Sequence, residues 1–117
     1  LTIAYQHYGQ FSGITKEVKL NVYRIVQELL KNIVLHAQAK HVLLQTEVHQ
    51  RLMMITVEDD GIGFDTNNYT RGLGLYHLEA RVHAMNGSYT IDTTPGKGTS
   101  IYIEIDLDSL KPISPTQ

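Results

Sequence analysis

Apolar residues recur at spacings of three and four between about Lys16 and His36. An α-helix turns once every 3.6 residues, so this spacing places them on one face of a helix. The pattern therefore predicts an amphipathic helix over residues 16–36. Its apolar stripe consists of Val18, Val22, Ile25, Leu29 and Ile33, with Val26 and Leu30 widening it.

Five shorter segments have the composition and loose alternation of β-strands. Two pairs of them are separated by only a few residues, which predicts one hairpin through residues 49–51 and another through residues 94–98. The predicted strands cover residues 2–8, 42–48, 52–58, 88–93 and 99–107.

A second amphipathic helix is predicted from about Leu73 to Met85, after a loop over residues 59–72. Asn86 and Gly87 follow it, and either residue can take the left-handed conformation that ends a helix. The resulting order is β-α-ββ-loop-α-ββ. It predicts an α/β (α+β) fold, a two-layer sandwich with helices on one face of a mixed β-sheet.

The composition fits one domain. The 117 residues are 42% hydrophobic, which is enough for a single core. We expect this domain over residues 1–110 and a flexible tail over residues 111–117, which contain two prolines. The net charge of −2 gives no basic field of the kind that nucleic acid binding requires, so we expect no nucleic acid partner.

Cysteine is absent, which excludes disulfides and thiolate metal sites. No apolar run approaches the roughly 20 residues that a membrane span requires. Because the chain begins with Leu1 rather than Met, we expect it to be a piece of a longer protein. Membrane or targeting segments could lie elsewhere in that protein.

Three polar residues form one column on the first predicted helix. They are Glu28, Asn32 and His36, at positions i, i+4 and i+8. The column borders the apolar stripe, where a carboxylate and an amide can line a cleft between helix and loop. An ordinary polar helix flank would show the same pattern.

The segment after the third predicted strand combines a carboxylate, Asp60, with Gly61 and Gly63. A carboxylate at a strand end can accept a hydrogen bond from the exocyclic amine of adenine, where guanine has a carbonyl. The glycines would let the backbone approach a ring without a β-carbon in the way. A tight Asp-Gly turn is the alternative interpretation.

A second glycine pair lies where the loop enters the second helix, in Gly72-Leu73-Gly74-Leu75. Free N–H groups at a helix N-terminus favour an anionic phosphate, although a helix start with flexible glycines is equally compatible. The sequence lacks the P-loop, the dinucleotide-binding glycine motif and the protein-kinase motif set. The histidines show no metal-ligand spacing.

Together these motifs resemble the GHKL (Bergerat-fold) ATP-binding domain of bacterial sensor histidine kinases, in the short-lid branch of the nitrate/nitrite sensors. The resemblance covers about residues 15–107. Residues 24–32 with His36-Ala37 resemble the N box, Asp60-Gly61-Ile62-Gly63-Phe64 the first glycine box, Gly72-Leu73-Gly74-Leu75 the second, and Gly96-Lys97-Gly98-Thr99 the motif before the last strand.

The resemblance implies ATP and Mg²⁺ as cofactors and a role for each matching residue. Asn32 would hold the Mg²⁺, and Glu28 would orient a water in the metal shell or polarise the reacting site. Asp60 would bind the adenine amine, supported by the Thr99 hydroxyl. The other implied nucleotide contacts are His36, Gly61, Gly63, Arg71, Gly72, Leu73, Gly74 and Leu75.

Three positions depart from the commonest family pattern. Ile33 stands where Ala is frequent. Leu35 replaces a basic residue and removes a phosphate contact. Asp59 stands where Asn is frequent, and this interpretation gives it no role.

By this resemblance the chain is the catalytic domain of a two-component sensor histidine kinase. It would transfer the ATP γ-phosphoryl group to a histidine on a separate dimerisation domain of the same protein and so act indirectly on a response regulator. The domain would be cytoplasmic, and its parent homodimeric and compatible with anchoring in the inner membrane. The alternatives are a serine kinase of the anti-sigma type and a non-catalytic nucleotide-sensing module on the same fold.

Overall fold

The computed structural model describes residues 1–63 and 75–110, and within these ranges leaves out the side chains of residues 75–77 and 109–110. The predicted order of strands and helices is confirmed. The elements are β1 (Thr2–Tyr8), α1 (Lys16–Asn32), a π-helical turn (Ile33–Ala37), β2 (His41–His49), β3 (Leu52–Asp59), α2 (Leu75–Ala84), β4 (Gly87–Thr94), β5 (Gly98–Asp106) and a 3₁₀ turn (Leu107–Leu110).

The five strands form one mixed sheet in the order β1-β2-β3-β5-β4. β1 is parallel to β2, and every other neighbouring pair is antiparallel. The predicted α/β sandwich with a mixed sheet is therefore confirmed. In this register Asp59, the last residue of β3, lies between Val42 of β2 and Thr99 of β5.

The core lies between the sheet and the two helices. On β3 the alternating side chains of Met53, Ile55 and Val57 are almost completely buried, at 1%, 0% and 2% exposure. Burial of each such side chain stabilises the fold by roughly 1.5–3 kcal/mol. The first helix contributes its apolar stripe to this core. The second helix contributes Leu78 and Val82, and Met85 directly follows it.

The first helix ends differently from its prediction. Thr15 caps its start by accepting the Val18 N–H at 3.2 Å. The α-helical geometry stops at Asn32 rather than His36, and the chain continues through the wider π turn to Gln38, whose φ of 51° ends it. The wider turn presents the carbonyl of Ala37 to the Ile62 N–H at 2.8 Å, which joins the helix end to the segment after β3.

The second helix ends as predicted, because Asn86 takes the left-handed conformation with φ of 51°. Its predicted start at Leu73 and the predicted tail over 111–117 lie outside the described residues. No helix within the described ranges is long and apolar enough to cross a membrane.

Candidate nucleotide-binding cleft

A cleft of about 210 Å³ opens between the end of the first helix and the ends of β3 and β5. Its floor is formed by four aliphatic side chains, each at most 8% exposed: Leu29, Ile33, Val57 and Ile101. Polar groups stand around this floor. Among the residues that the structure describes, the lining consists of Leu29, Asn32, Ile33, His36, Ala37, Val57, Asp59, Ile62, Gly63, Thr99 and Ile101.

Four of the sequence-predicted site residues meet at this cleft: Asn32, His36, Gly63 and Thr99. The π turn carries His36, whose side chain is exposed. Glu28 and Gly61 do not line the cleft; Glu28 is half-buried on α1 and Gly61 is buried. The predicted contacts Arg71, Gly72, Leu73 and Gly74 lie outside the described residues, and Leu75 is described by its backbone alone.

Asp59 supplies the carboxylate of the cleft. It continues the alternation of Met53, Ile55 and Val57 and so faces the helix side of the sheet. Its Oδ1 accepts the Gly61 N–H at 2.8 Å. The pKa of Asp59 is raised, chiefly because burial disfavours the charged form; Asp60 contributes, while backbone N–H bonds from Gly61 and Thr99 oppose the shift.

The prediction that Asp60 binds the adenine amine requires a correction, because Asp60 does not line the cleft. Its Oδ1 accepts the backbone N–H groups of Lys40 at 2.8 Å and His41 at 2.9 Å. Its Oδ2 lies 2.7 Å from His41 Nδ1. These bonds hold the pKa of the exposed Asp60 well below its usual range, and the bond from the His41 N–H has the largest effect. The strand ends at Asp59, and the next carboxylate is directed toward the start of β2.

Backbone hydrogen bonds fix the segment 60–63. The Asp60 N–H donates to the His41 carbonyl at 3.2 Å, and the Ile62 N–H donates to the Ala37 carbonyl at 2.8 Å. On its other side, the Ile62 carbonyl accepts the Gly96 N–H at 2.6 Å. The segment is therefore held between β2, the π turn and the β4–β5 turn.

This packing gives the two glycines of the segment a purpose within the protein in addition to the predicted one. A β-carbon on Gly61 would collide with the carbonyl of Ala37. Gly63 has φ of +64°, and a β-carbon there would collide with the carbonyl of Thr94. Both glycines therefore permit close approach of one backbone to another within the protein, whereas the prediction assigned that approach to a ligand.

Thr99 connects the cleft to the β4–β5 hairpin. Its hydroxyl lies 2.9 Å from the hydroxyl of Thr93, which also donates to the Gly98 carbonyl at 3.3 Å. The backbone N–H of Thr99 bonds to the Asp59 carboxylate. One residue therefore orients the carboxylate and places a hydroxyl in the lining.

Comparisons with known proteins identify the family of the chain. The family described as histidine kinase-, DNA gyrase B- and HSP90-like ATPase matches residues 17–109. Sensor histidine kinase ComP of Bacillus subtilis is 40% identical over 103 residues, covering 85% of this chain and 13% of ComP. The histidine-protein kinase/phosphatase DegS of Brevibacillus brevis is 32% identical over 106 residues, covering 90% of this chain and 28% of DegS. The chain therefore spans less than a third of either relative.

Solved structures share the fold. The blue-light activated histidine kinase EL346 of Erythrobacter litoralis has a TM-score of 0.78 at 24% identity, over 95% of this chain and 37% of that one. Full-length ShkA in complex with AMPPNP has a TM-score of 0.73 at 21% identity, over 90% of this chain and 25% of that one. With the family match spanning most of its length, the chain belongs to the histidine kinase-, DNA gyrase B- and HSP90-like ATPases, as a domain of the sensor histidine kinase type.

Proposed function

We propose that this domain binds ATP with the adenine in the cleft, and that it serves as the phosphoryl-donating domain of a longer sensor histidine kinase. The observation that carries the proposal is a partly buried carboxylate, Asp59, above an apolar floor. An aromatic base gains from burial on the apolar side chains, and the few polar groups around them select it.

In this proposal the carboxylate that binds the adenine amine is that of Asp59, and not that of Asp60. An ionised carboxylate only accepts hydrogen bonds, so it favours the exocyclic amine of adenine and disfavours the carbonyl of guanine. The bonds from Gly61 and Thr99 orient the carboxylate before a ligand arrives, which lowers the cost of binding. The Thr99 hydroxyl and the Gly63 backbone complete the contacts at this end.

The residues at the other end of the cleft, away from Asp59, fit a Mg²⁺ ion. Asn32 is half-buried in the lining and offers one amide oxygen. Within residues 1–63 and 75–110 no group of three or more His, Asp or Glu side chains could hold a metal alone. Mg²⁺ is commonly held by one or two protein oxygens together with phosphates and waters. Asn32 would therefore hold an ion that arrives with the nucleotide, and the ion would neutralise phosphate charge.

The remaining assignments concern the phosphates. The cleft volume of about 210 Å³ lies below the roughly 300 Å³ at which typical ligand sites begin, so the base fills it and the phosphates extend beyond it. Glu28 would orient a water in the metal shell, and His36 would contact the nucleotide at the rim of the cleft. The other proposed phosphate contacts are Arg71, Gly72, Leu73, Gly74 and Leu75.

Phosphoryl transfer would take place in the longer protein. Such transfer depends on positioning and charge neutralisation, which a cleft of this kind supplies. The relatives named as sensor histidine kinases support the choice of reaction, and the complex of ShkA with AMPPNP supports the choice of nucleotide. The acceptor is a histidine on a dimerisation domain of a homodimeric parent, which passes the phosphoryl group to a response regulator.

Calorimetric titration with Mg-ADP and Mg-GDP tests the nucleotide site. We expect the wild-type domain to bind Mg-ADP and to discriminate against Mg-GDP. Asp59→Asn should abolish measurable binding, whereas Asp92→Asn, which changes an exposed carboxylate of β4, should leave it unchanged. A wild-type domain that binds neither nucleotide would contradict the proposal.

The kinase assignment needs the full-length parent and γ-labelled ATP. We expect an acid-labile phosphohistidine that is lost in Asn32→Ala. Nucleotide binding without any label would favour the sensing module, and acid-stable label on the serine of another protein would favour the anti-sigma type.

A further inference from the structure

We propose that Asp60 is a positioning residue of the nucleotide site, which holds the start of β2 against the end of β3 and thereby fixes the segment that carries the cleft. This inference rests on the function proposed above. It gives a purpose to a carboxylate that does not line the cleft.

The Asp60 clamp consists of hydrogen bonds in both directions between residue 60 and the start of β2. A single oxygen, Asp60 Oδ1, accepts two consecutive backbone N–H groups, from Lys40 and His41. In return the Asp60 N–H donates to the His41 carbonyl at 3.2 Å. Residue 60 is thus bonded to β2 by its backbone and by its side chain.

The clamp is directly connected to the site along the chain. Asp60 stands between Asp59, the carboxylate of the cleft, and Gly61, whose N–H orients that carboxylate. Immediately after Gly61, Ile62 and Gly63 line the cleft. A shift of residue 60 would therefore move both the donor to Asp59 and part of the lining.

The clamp differs from an ordinary surface ion pair. The His41 imidazole at Oδ2 is 71% exposed, and exposed ion pairs contribute little. The two bonds to Oδ1 join backbone to side chain and are charge-assisted, so they restrain the geometry of the chain itself. Restraint of this kind raises affinity by preorganising the site.

Substitutions at Asp60 separate positioning from ligand contact. Asp60→Asn keeps an oxygen at Oδ1, so we expect its Mg-ADP affinity to stay within about threefold of wild type. Asp60→Ala removes the acceptor and should weaken binding about tenfold or more, as misplaced site residues do. His41→Ala removes the imidazole but leaves both backbone donors, so affinity should again stay within about threefold.

A matched control tests whether the loss of any exposed carboxylate in an ion pair lowers the affinity. Asp108 forms another exposed ion pair, with Arg51 at 3.0 Å, on a residue absent from the cleft lining. Asp108→Ala should leave the affinity unchanged. Equal weakening by Asp60→Asn and Asp60→Ala would show that the charge of Asp60, and not the retained oxygen acceptor, sets the affinity, and unchanged binding by Asp60→Ala would show that no positioning occurs. Either result overturns the inference.

Amide hydrogen exchange without nucleotide provides a readout that is independent of binding. We expect Asp60→Ala to accelerate exchange at the Gly61 and Ile62 amides, and Asp60→Asn to leave both near the wild-type rate. Failure of the wild-type domain to bind nucleotide would overturn the proposed function. Failure of Asp60→Ala to change these exchange rates would overturn the clamp itself.

Discussion

Asp59 and Thr99 are register partners across β3 and β5, and the backbone N–H of Thr99 bonds to the Asp59 carboxylate. A second N–H, from Gly61, reaches the same carboxylate at 2.8 Å. Both donors belong to backbone that is itself held by the sheet or by the fixed segment 60–63. The carboxylate is therefore oriented in advance, and its protonation state becomes decisive for binding.

The raised pKa of Asp59 predicts how binding depends on pH. The ionised carboxylate accepts the adenine amine, and the protonated form loses acceptor strength. Because burial raises the pKa above the ordinary 3.8, protonation begins at a higher pH than for an exposed carboxyl group. We expect Mg-ADP affinity to fall on acidification before the pH reaches 3.8, as measured by calorimetry.

The control for this experiment is thermal unfolding of the nucleotide-free domain at each pH, which establishes that the protein is still folded. Affinity that stays constant down to pH 3.8 in a folded protein would contradict the assignment of Asp59.

The same pKa predicts that Asp59 costs stability when no nucleotide is bound. A carboxyl group whose folded-state pKa is raised binds its proton more tightly in the folded state, so its ionised form destabilises the fold at neutral pH. Asp59→Asn removes the charge and retains an oxygen for the Gly61 N–H. We expect this variant to melt at a higher temperature than wild type at neutral pH, by differential scanning calorimetry.

Two comparisons complete this experiment. The difference in melting temperature should close as the pH falls through the folded-state pKa of Asp59, since the wild-type carboxyl group then becomes neutral. Saturating Mg-ADP should reverse the order, because only the wild-type domain gains ligand stabilisation. A variant that melts below wild type without ligand would show that the ionised carboxylate stabilises the fold.

The alternation of apolar and polar side chains along β3 distinguishes Asp59 from Asp60. Met53, Ile55 and Val57 predict one buried face, and extension of that period by two residues places Asp59, and not Asp60, on it. The family resemblance led to Asp60 because it was aligned on the Asp-Gly pair without regard to strand phase. The helices and strands were predictable for a related reason, since apolar periodicity is a local signal.

Other features depended on contacts distant in sequence. The π turn at Ile33–Ala37 has no periodic signature, because the apolar stripe runs into it unchanged. The parallel pairing of β1 with β2 joins segments about 40 residues apart, which local composition does not specify. The purpose of Gly61 and Gly63 was likewise visible only once Ala37 and Thr94 lay against them.

Gly63 should tolerate no side chain. Its φ of +64° disfavours any L-residue by roughly 1–2 kcal/mol, and a β-carbon would also overlap the Thr94 carbonyl. Backbone displacement to relieve such an overlap costs roughly 1–3 kcal/mol more. We expect Gly63→Ala to lower the free energy of unfolding by about 2–5 kcal/mol in urea denaturation.

Gly96 is the matched control, because its φ of +81° is similar but, apart from its chain neighbours, no atom of the described residues lies within 4 Å of its ideal β-carbon. Gly96→Ala should cost only the conformational part, roughly 1–2 kcal/mol. Equal losses in the two variants would show that the contact with Thr94 carries no energy.

Thr99 should contribute to affinity through its hydroxyl, separately from its backbone. Valine is close to threonine in shape but has no hydroxyl, so Thr99→Val keeps the N–H to Asp59 and removes the polar group from the lining. We expect the variant to bind Mg-ADP about tenfold more weakly, a loss of about 1.4 kcal/mol that is typical of one hydrogen bond. Thr99→Ser should restore most of the affinity.

A Thr93 variant distinguishes a direct contact between the Thr99 hydroxyl and the ligand from an effect on the stability of the β4–β5 hairpin. Its hydroxyl is the 2.9 Å partner of the Thr99 hydroxyl, yet Thr93 does not line the cleft. Thr93→Val therefore removes the same hydrogen bond from the opposite side, together with the Thr93 bond to the Gly98 carbonyl. If the Thr99 hydroxyl acts on the nucleotide, Thr93→Val should lower the melting temperature at least as much as Thr99→Val while Mg-ADP affinity stays within about threefold of wild type. Equal losses of affinity in both valine variants would mean that the hydroxyl pair acts by holding the hairpin, and would remove Thr99 from the set of direct contacts.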